Sequence, residues 1–544
     1  MSSTLSRPLL HLSRRLTPKS TRPTQQIALT TRLFSTKHYD VAILGGGHNA
    51  LVAACYLSQS KKKVIILEKH SQFGGATQSV YAFEGVNAKL SRYSYLVALF
   101  PDRIRNDLGL DFETLRRKVS WYAPIGERGV LLNRLFDEES KASLEEFAGN
   151  DEVLAWQQFY DKVGRMAQGL APTLLEPLKS DQEIRDLIGE EAWMEFVEQP
   201  LSVTLGQYFT SDLIKGVVLT DGLIGTWANA SDKLANICFM YHLIGNGTGE
   251  WRVPKGGMGK LVDSLLHRAK ELGVQLWTNS EVTNVELSDT GVSLTTSRGE
   301  EISADVLLSG AAPTVLEKLT GIPTPTKCRD GSQIKVNMVL ERLPNLRSGI
   351  DPKLAFAGTF HINEGYNQLE KAYADAMSGQ IPHEIPAEIY CHTVTDSSIL
   401  DKSMADAGNH TLTLFALHTP ASLFDENHDE RKEEVTKRIM EGLNKHLTEP
   451  IENLLLKDSN GKPCLEVKTP QELEREINLP RGNIFHGDLA WPWQNGDQKI
   501  RSWGVETAHD RVFVAGAGAL RGGGVSGIGG HNAAMAALER LKRR

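Results

Sequence analysis

Residues 40–44 (Asp-Val-Ala-Ile-Leu) form a short apolar run of the kind a strand buried on both faces carries. Residues 51–58 are small and apolar and read as a helix. Lys61, Lys62 and Lys63 close it, and a second apolar run at 64–67 ends in Glu68. Between the first run and the helix lies Gly45-Gly46-Gly47-His48-Asn49-Ala50. Gly45, Gly47 and Ala50 take the three small positions of a G-x-G-x-x-A turn. Strand, turn, helix and strand together make a βαβ nucleotide fingerprint. Gly45 permits the tight turn, Gly47 leaves room for a pyrophosphate against the backbone, and Ala50 lets helix and strand pack closely. The helix start presents free N–H groups to phosphate. Glu68, with Lys69 beside it, stands where a carboxylate accepts bonds from ribose hydroxyls. It would repel a 2′-phosphate, which disfavours NADP.

The same patterning predicts helices over 142–147, 153–170 and 181–197, and a charge-rich one over 429–447. Strands are expected at 273–278, 281–286, 291–296, 301–308, 332–340, 388–393 and 410–417. Near the C-terminus a strand (511–515) runs into Gly516-Ala517-Gly518 and Gly522 to Gly530, followed by a helix over 531–541. Too few residues follow for a second βαβ unit. Gly245 to Gly249 is no second nucleotide turn, because Pro254 would stop the helix it needs.

Composition adds three limits. The five cysteines are scattered, with no C-x-x-C pair, so neither a disulfide framework, a zinc site nor a dithiol redox centre is expected, and redox chemistry falls to a bound cofactor. No apolar run is long enough for a transmembrane helix. Residues 1–36 hold Arg7, Arg14, Arg15, Lys19, Arg22 and Arg32 with many Ser and Thr and no acid, the profile of a mitochondrial transit peptide. Cleavage after Phe34 would remove six basic residues and move the net charge from −7 to −13. A nucleic-acid partner is therefore not expected, and the mitochondrial matrix is, with the inner-membrane periphery as a variant.

Gly74-Gly75-Ala76, after the ribose acid, resembles the element that follows it in FAD proteins of this fold. With Ser91 to Leu96, Pro254-Lys-Gly-Gly-Met-Gly259 and the C-terminal glycine block, it carries a wider likeness from about residue 38 to the end. The chain resembles the phytoene desaturase and carotenoid isomerase-like flavoproteins, within the amine-oxidase-like FAD group. The resemblance implies an α/β fold of α+β two-domain type. A Rossmann-like FAD domain of the glutathione-reductase/amine-oxidase type would comprise 37–140, 251–330 and 481–544. An interleaved substrate/cap domain would comprise 141–250 and 331–480.

It implies that Val282 contacts the adenine. Gly516, Ala517, Gly523, Gly524 and Val525 would lie against the flavin, although Ala517 stands where amine oxidases place a carboxylate. Lys335 resembles the amine-oxidase lysine that holds a water against flavin N5, but an exposed strand lysine reads equally well. His48, His486 and His531 sit beside glycine loops and could touch the cofactor or be structural. Trp227, Tyr241 and Trp251 could line an apolar pocket or simply fill the core.

The implied activity is FAD-dependent oxidation of a small apolar or conjugated substrate by hydride transfer to flavin N5. The acceptor, oxygen or quinone, stays open. So do a redox-neutral flavin isomerase and a non-catalytic FAD protein acting through an inner-membrane or respiratory-chain partner. The fingerprint predicts that Gly47→Val and Glu68→Arg each abolish flavin retention. The absorbance spectrum of the purified variants checks this, and full flavin occupancy in either would remove FAD from the turn.

Overall fold

The apolar runs that open the chain become the centre of a parallel sheet. In the computed structural model, which describes residues 37–323, 328–494, 496 and 502–543, Lys37–Leu44 pairs in parallel with Val64–Leu67 on one side and Glu301–Ser309 on the other. Gln275–Trp277 extends the sheet beyond Val64–Leu67. Val292–Thr296 and Val282–Leu287 extend it antiparallel beyond Glu301–Ser309, and Val512–Val514 pairs with the end of Glu301–Ser309. The strands of the parallel centre are almost wholly buried, which explains their continuous rather than alternating apolar pattern. The proposed transit segment 1–36 lies outside the described residues.

A second sheet runs in the order Leu465–Lys468, Ile334–Leu340, His410–Ala416, Ala387–Tyr390, Thr359–Ile362, Val119–Ile125, Arg128–Asn133. Its last two strands correct the expected division. Val119–Ile125 and Arg128–Asn133 fall inside the 37–140 segment, yet they hydrogen-bond into the second sheet, with Trp121 opposite Thr359. That partner lies more than 200 residues away, so no local pattern announces it.

The helices follow the expected periodicity with one break. Glu138–Ala148 and Asn150–Thr173 form as expected, but the helix expected over 181–197 stops at Ile188. Gly189 has φ +87°, which ends the helix before Glu190–Trp193 starts a new one. Among the described residues no helix is long and apolar enough to cross a membrane.

Two helix starts are packed together. His48–Gln59 follows the first strand, and Ile528–Lys542 lies against it. A Cβ at Gly530 would fall on the Asn49 carbonyl, and one at Gly529 would meet the carbonyls of Ala515 and Gly516. Both N-termini therefore reach the same edge of the parallel sheet. Gly530→Ala is expected to force them apart and lower stability by about 1–3 kcal/mol. Thermal unfolding of the variant checks this, and an unchanged Tm would mean that the contact yields freely.

Candidate functional site

The glycine turn is held by its own acid. Glu68, 7 % exposed, accepts from the Gly46 amide through Oε2 and from the His70 amide through Oε1, both at 2.7 Å. Gly74 donates its amide to the Gly46 carbonyl at 2.9 Å. Gly45 turns at φ +82°, and a Cβ there would come 3.3 Å from the Ala311 amide nitrogen. Gly47 differs from both: nothing lies within 4 Å of where its Cβ would be. It caps His48–Gln59 without a side-chain bond, and the first turn of that helix carries no acid. The first amides are thus left for an incoming anion.

Gly47 opens onto a cavity of about 600 Å³, within the usual size of a cofactor or ligand site. Of the residues expected at the cofactor, Gly45, Gly46, Gly47, His48, Asn49, Glu68, Lys69, Gly75, Ala76, Val282, Ala517, Gly524 and Val525 line it, and so does Lys335. Ala50, Gly74, Gly516 and Gly523 do not. They lie behind the wall, where larger side chains would collide: Gly516 with the Gly310 carbonyl, Gly523 with Phe485 and Leu489, and Gly74 with Val262 and Gln78. Ala50 packs on Gly310.

Of the three candidate aromatics only Trp251 reaches the cavity, stacked on His242 with ring centroids 5.3 Å apart. The Tyr241 hydroxyl instead donates to the Leu520 carbonyl at 2.6 Å. His486 lines the cavity, whereas His531 turns its Nδ1 to the Asn532 side chain at 2.8 Å.

Lys335 is not an exposed strand lysine. Every residue of Ile334–Leu340 is buried, Lys335 to 1 %. Its Nζ has no hydrogen-bond partner and sits 4.4 Å from the centroid of the Tyr95 ring. Burial pushes its pKa well below the usual lysine value, while Glu466 pulls weakly the other way. His48 and His486 are likewise lowered to about 4 by burial, His48 further by His486. His242 is also lowered to about 4 by burial. All three rings are neutral at pH 7.

Sequence reading missed Tyr93, Tyr95, Phe415 and His242 in this wall. Tyr93 and Tyr95 belong to the Ser91 to Leu96 stretch that carried part of the resemblance, and that was the available signal. Phe415 and His242 look like ordinary core residues in their segments.

The donor set suits a dinucleotide flavin. The uncapped start of His48–Gln59 supplies amides for a diphosphate, Glu68 faces the cavity for a ribose, and much of the remaining wall is apolar. His48 Nε2, Asn49 Oδ1, His486 Nδ1 and Lys335 Nζ are buried polar atoms without a protein partner, all on lining residues. Such atoms are costly unless a ligand or water meets them.

Residues 51–454 match the family described as flavin containing amine oxidoreductase. The chain belongs to the flavin containing amine oxidoreductase family. Its cofactor is FAD, and its class is FAD-dependent oxidoreductase. An uncharacterized protein of Mycobacterium tuberculosis is 42% identical over 93% of this chain and 98% of its own length. The rat pyridine nucleotide-disulfide oxidoreductase domain-containing protein 2 is 27% identical over 93% and 94%. Carrot chloroplastic prolycopene isomerase is 23% identical over 80% and 71%. A putrescine oxidase variant shares the fold, with a TM-score of 0.55 and 15% identity over 94% of this chain and 100% of its own. The disulfide in the rat protein's name has no counterpart among this flavoprotein's cysteines, all five of which are free.

The neutral histidines make a pH prediction. For His48 the folded value of about 4 lies below the ordinary 6.5. Above pH 6.5 the ring is neutral in both states. Between 6.5 and 4 the unfolded chain takes a proton that the folded chain refuses, so stability falls as pH falls. His48→Asn removes this loss. Wild type should lose up to about 1.4 kcal/mol per pH unit relative to the variant in that window. Urea unfolding at a series of pH values measures the difference, and a pH-independent difference would mean that His48 titrates normally.

Proposed function

We propose that this flavoprotein oxidises a small apolar or conjugated substrate in the mitochondrial matrix, free or at the inner-membrane periphery. Bound FAD supplies a two-electron acceptor at N5 for hydride transfer. The glycine turn, Glu68 and Val282 hold the adenosine half. The amides at the start of Ile528–Lys542, with Ala517, Gly524 and Val525, support the flavin half, where a positive helix end favours negative charge on the reduced ring. Trp251, Phe415, Leu99 and Ile224 give the substrate side an apolar lining.

One observation carries this reading: Lys335, buried and without a partner, stands in the cavity wall. A buried amine of that kind has its hydrogen-bonding positions free to hold a water, and burial disfavours its charged form. The matrix location rests on the basic, acid-free N-terminal segment alone.

The likeness to a protein named prolycopene isomerase supports a second reading, a redox-neutral isomerase in which flavin electrons are borrowed and returned. Oxygen behaviour separates the two. Protein beginning near Ser35 should purify with a flavin spectrum, bleach on anaerobic photoreduction and recover quickly in air. Lys335→Met should keep its flavin and recover about a hundredfold more slowly, the lower end of what a positioned proton-transfer group contributes. A wild-type flavin that stays reduced in air would favour a quinone acceptor or the isomerase. A protein that holds no flavin even with added FAD would leave the partner-binding role.

A further inference from the structure

Behind the cavity wall the second sheet buries a group of ionisable side chains that the flavin site does not use. His361 on Thr359–Ile362 lies directly opposite Glu388 on the antiparallel strand Ala387–Tyr390. His361 Nδ1 is in hydrogen-bond contact with Glu364 Oε2 and 4.0 Å from Glu388 Oε1. All three side chains are buried, and Glu364 Oε1 has no partner. The Tyr390 hydroxyl donates to Glu388 Oε2. Arg117 stands over the Tyr390 ring at 6.0 Å, its guanidinium bonded to the Trp251 carbonyl and the Thr359 hydroxyl. Asp221 completes the charged groups around His361.

This group touches the cavity through one residue. Tyr95 lines the cavity beside Lys335, and its ring centroid is 4.6 Å from that of Tyr390. Next to them, Arg117, Tyr390 and His392 help line a void of about 20 Å³, room for about one water. Tyr95, this water-sized void and Tyr390 thus lie in series between the cavity wall and Glu388.

We propose that this cluster is a proton store, filled when FAD in the adjoining cavity is reduced, with Tyr95 and Tyr390 as the path and Glu388 as the receiving group. The proposal rests on the FAD reading of the cavity. Its balance is simple. A donor that gives up a hydride passes two electrons and one proton to the flavin, and its second proton must leave. That proton goes to the Tyr95 oxygen as Tyr95 gives its own to Tyr390 and Tyr390 gives its own to Glu388. Neither phenol is left charged, and above about pH 8, where Glu388 stands as the carboxylate, it becomes the acid.

The electrostatics agree with the geometry. Burial, then the neighbouring Glu364, pushes Glu388 up to about 8, and burial pushes Asp221 up to about 6 and Glu364 well above the carboxylate range. Burial lowers His361, so that ring adds no compensating charge at neutral pH. Arg117 alone offsets the three acids, and new negative charge in the cavity would raise their proton affinity further. Burial also holds Tyr95 and Tyr390 well above the usual phenol value, so both remain protonated carriers.

The test is the pH dependence of the flavin midpoint potential in the holoprotein, read by spectroelectrochemistry with dithionite-compatible mediators from about pH 8 to 10, above the value at which Glu388 becomes the carboxylate that can receive a proton. One proton taken up with two electrons gives a slope of about 30 mV per pH unit, and two give about twice that. Wild type should follow the steeper slope and Glu388→Gln the shallower one. A shallow wild-type slope, or a steep slope unchanged in Glu388→Gln, overturns the store. Should Glu388→Gln fail to fold, reduced-minus-oxidised infrared spectra of wild type decide: a gain in the carboxylic-acid carbonyl band supports the proposal, and no gain overturns it. A protein that retains no flavin fails the FAD reading instead, before any slope is measured.

Discussion

Glu68 accepts a hydrogen bond from the Gly46 amide and another from the His70 amide, and both oxygens are thereby committed to backbone. Bonds from N–H groups to a charged acceptor contribute about 1.5–3 kcal/mol each. They tie the loop after the first strand to the end of the second, across a gap that neither strand bridges. The amide of Gly74 adds a third tie, to the Gly46 carbonyl. With the turn fixed, Gly47 faces open space and the helix behind it points its free amides the same way. The acid usually discussed for ribose recognition is therefore first a part of the backbone scaffold. Its loss would dismantle the phosphate site along with the ribose contact.

That local construction is why the nucleotide end was legible. Residues 40–68 form strand, turn, helix and strand within thirty or so positions, and each sets the next by short-range geometry. The break at Gly189 was missed because an apolar period runs through it, while the left-handed backbone there overrides the period. The second sheet was harder for a different reason. Ile334–Leu340 is buried on both faces, so alternation gives no hint of which face Lys335 takes. Trp121 finds its partner at Thr359, and Glu388 faces His361, only after the chain has closed. Residues whose role depends on such pairings look like routine strand positions until the sheet exists. Ala50, Gly74, Gly516 and Gly523 show the converse. A motif names small residues correctly, and at these four the packing behind the wall by itself demands a small side chain.

The charge state of the cavity follows from its burial. His48, His242 and His486 could each have brought a positive charge, and desolvation removes it from all three at neutral pH, while it also disfavours the charged form of Lys335. Lys69, at the ribose end, keeps its side chain near Asn478 at 3.4 Å. The start of His48–Gln59 also meets an anion there, and its positive end is fixed in the backbone and cannot titrate. An arrangement of that kind binds a diphosphate with the same strength across the neutral range.

Neutral walls create a further demand. A redox reaction that moves a hydride leaves a proton behind, and an apolar cavity with neutral histidines offers that proton little welcome. The nearest groups with affinity for it lie one tyrosine pair deeper, among carboxylates that burial has already made proton-hungry. Desolvation thus acts in opposite senses on the two sides of Tyr95. In the cavity it strips protons from bases, and in the second sheet it drives protons onto acids. The same physical cause sets up a gradient of proton affinity leading away from the reacting centre, and Tyr95 stands at the step.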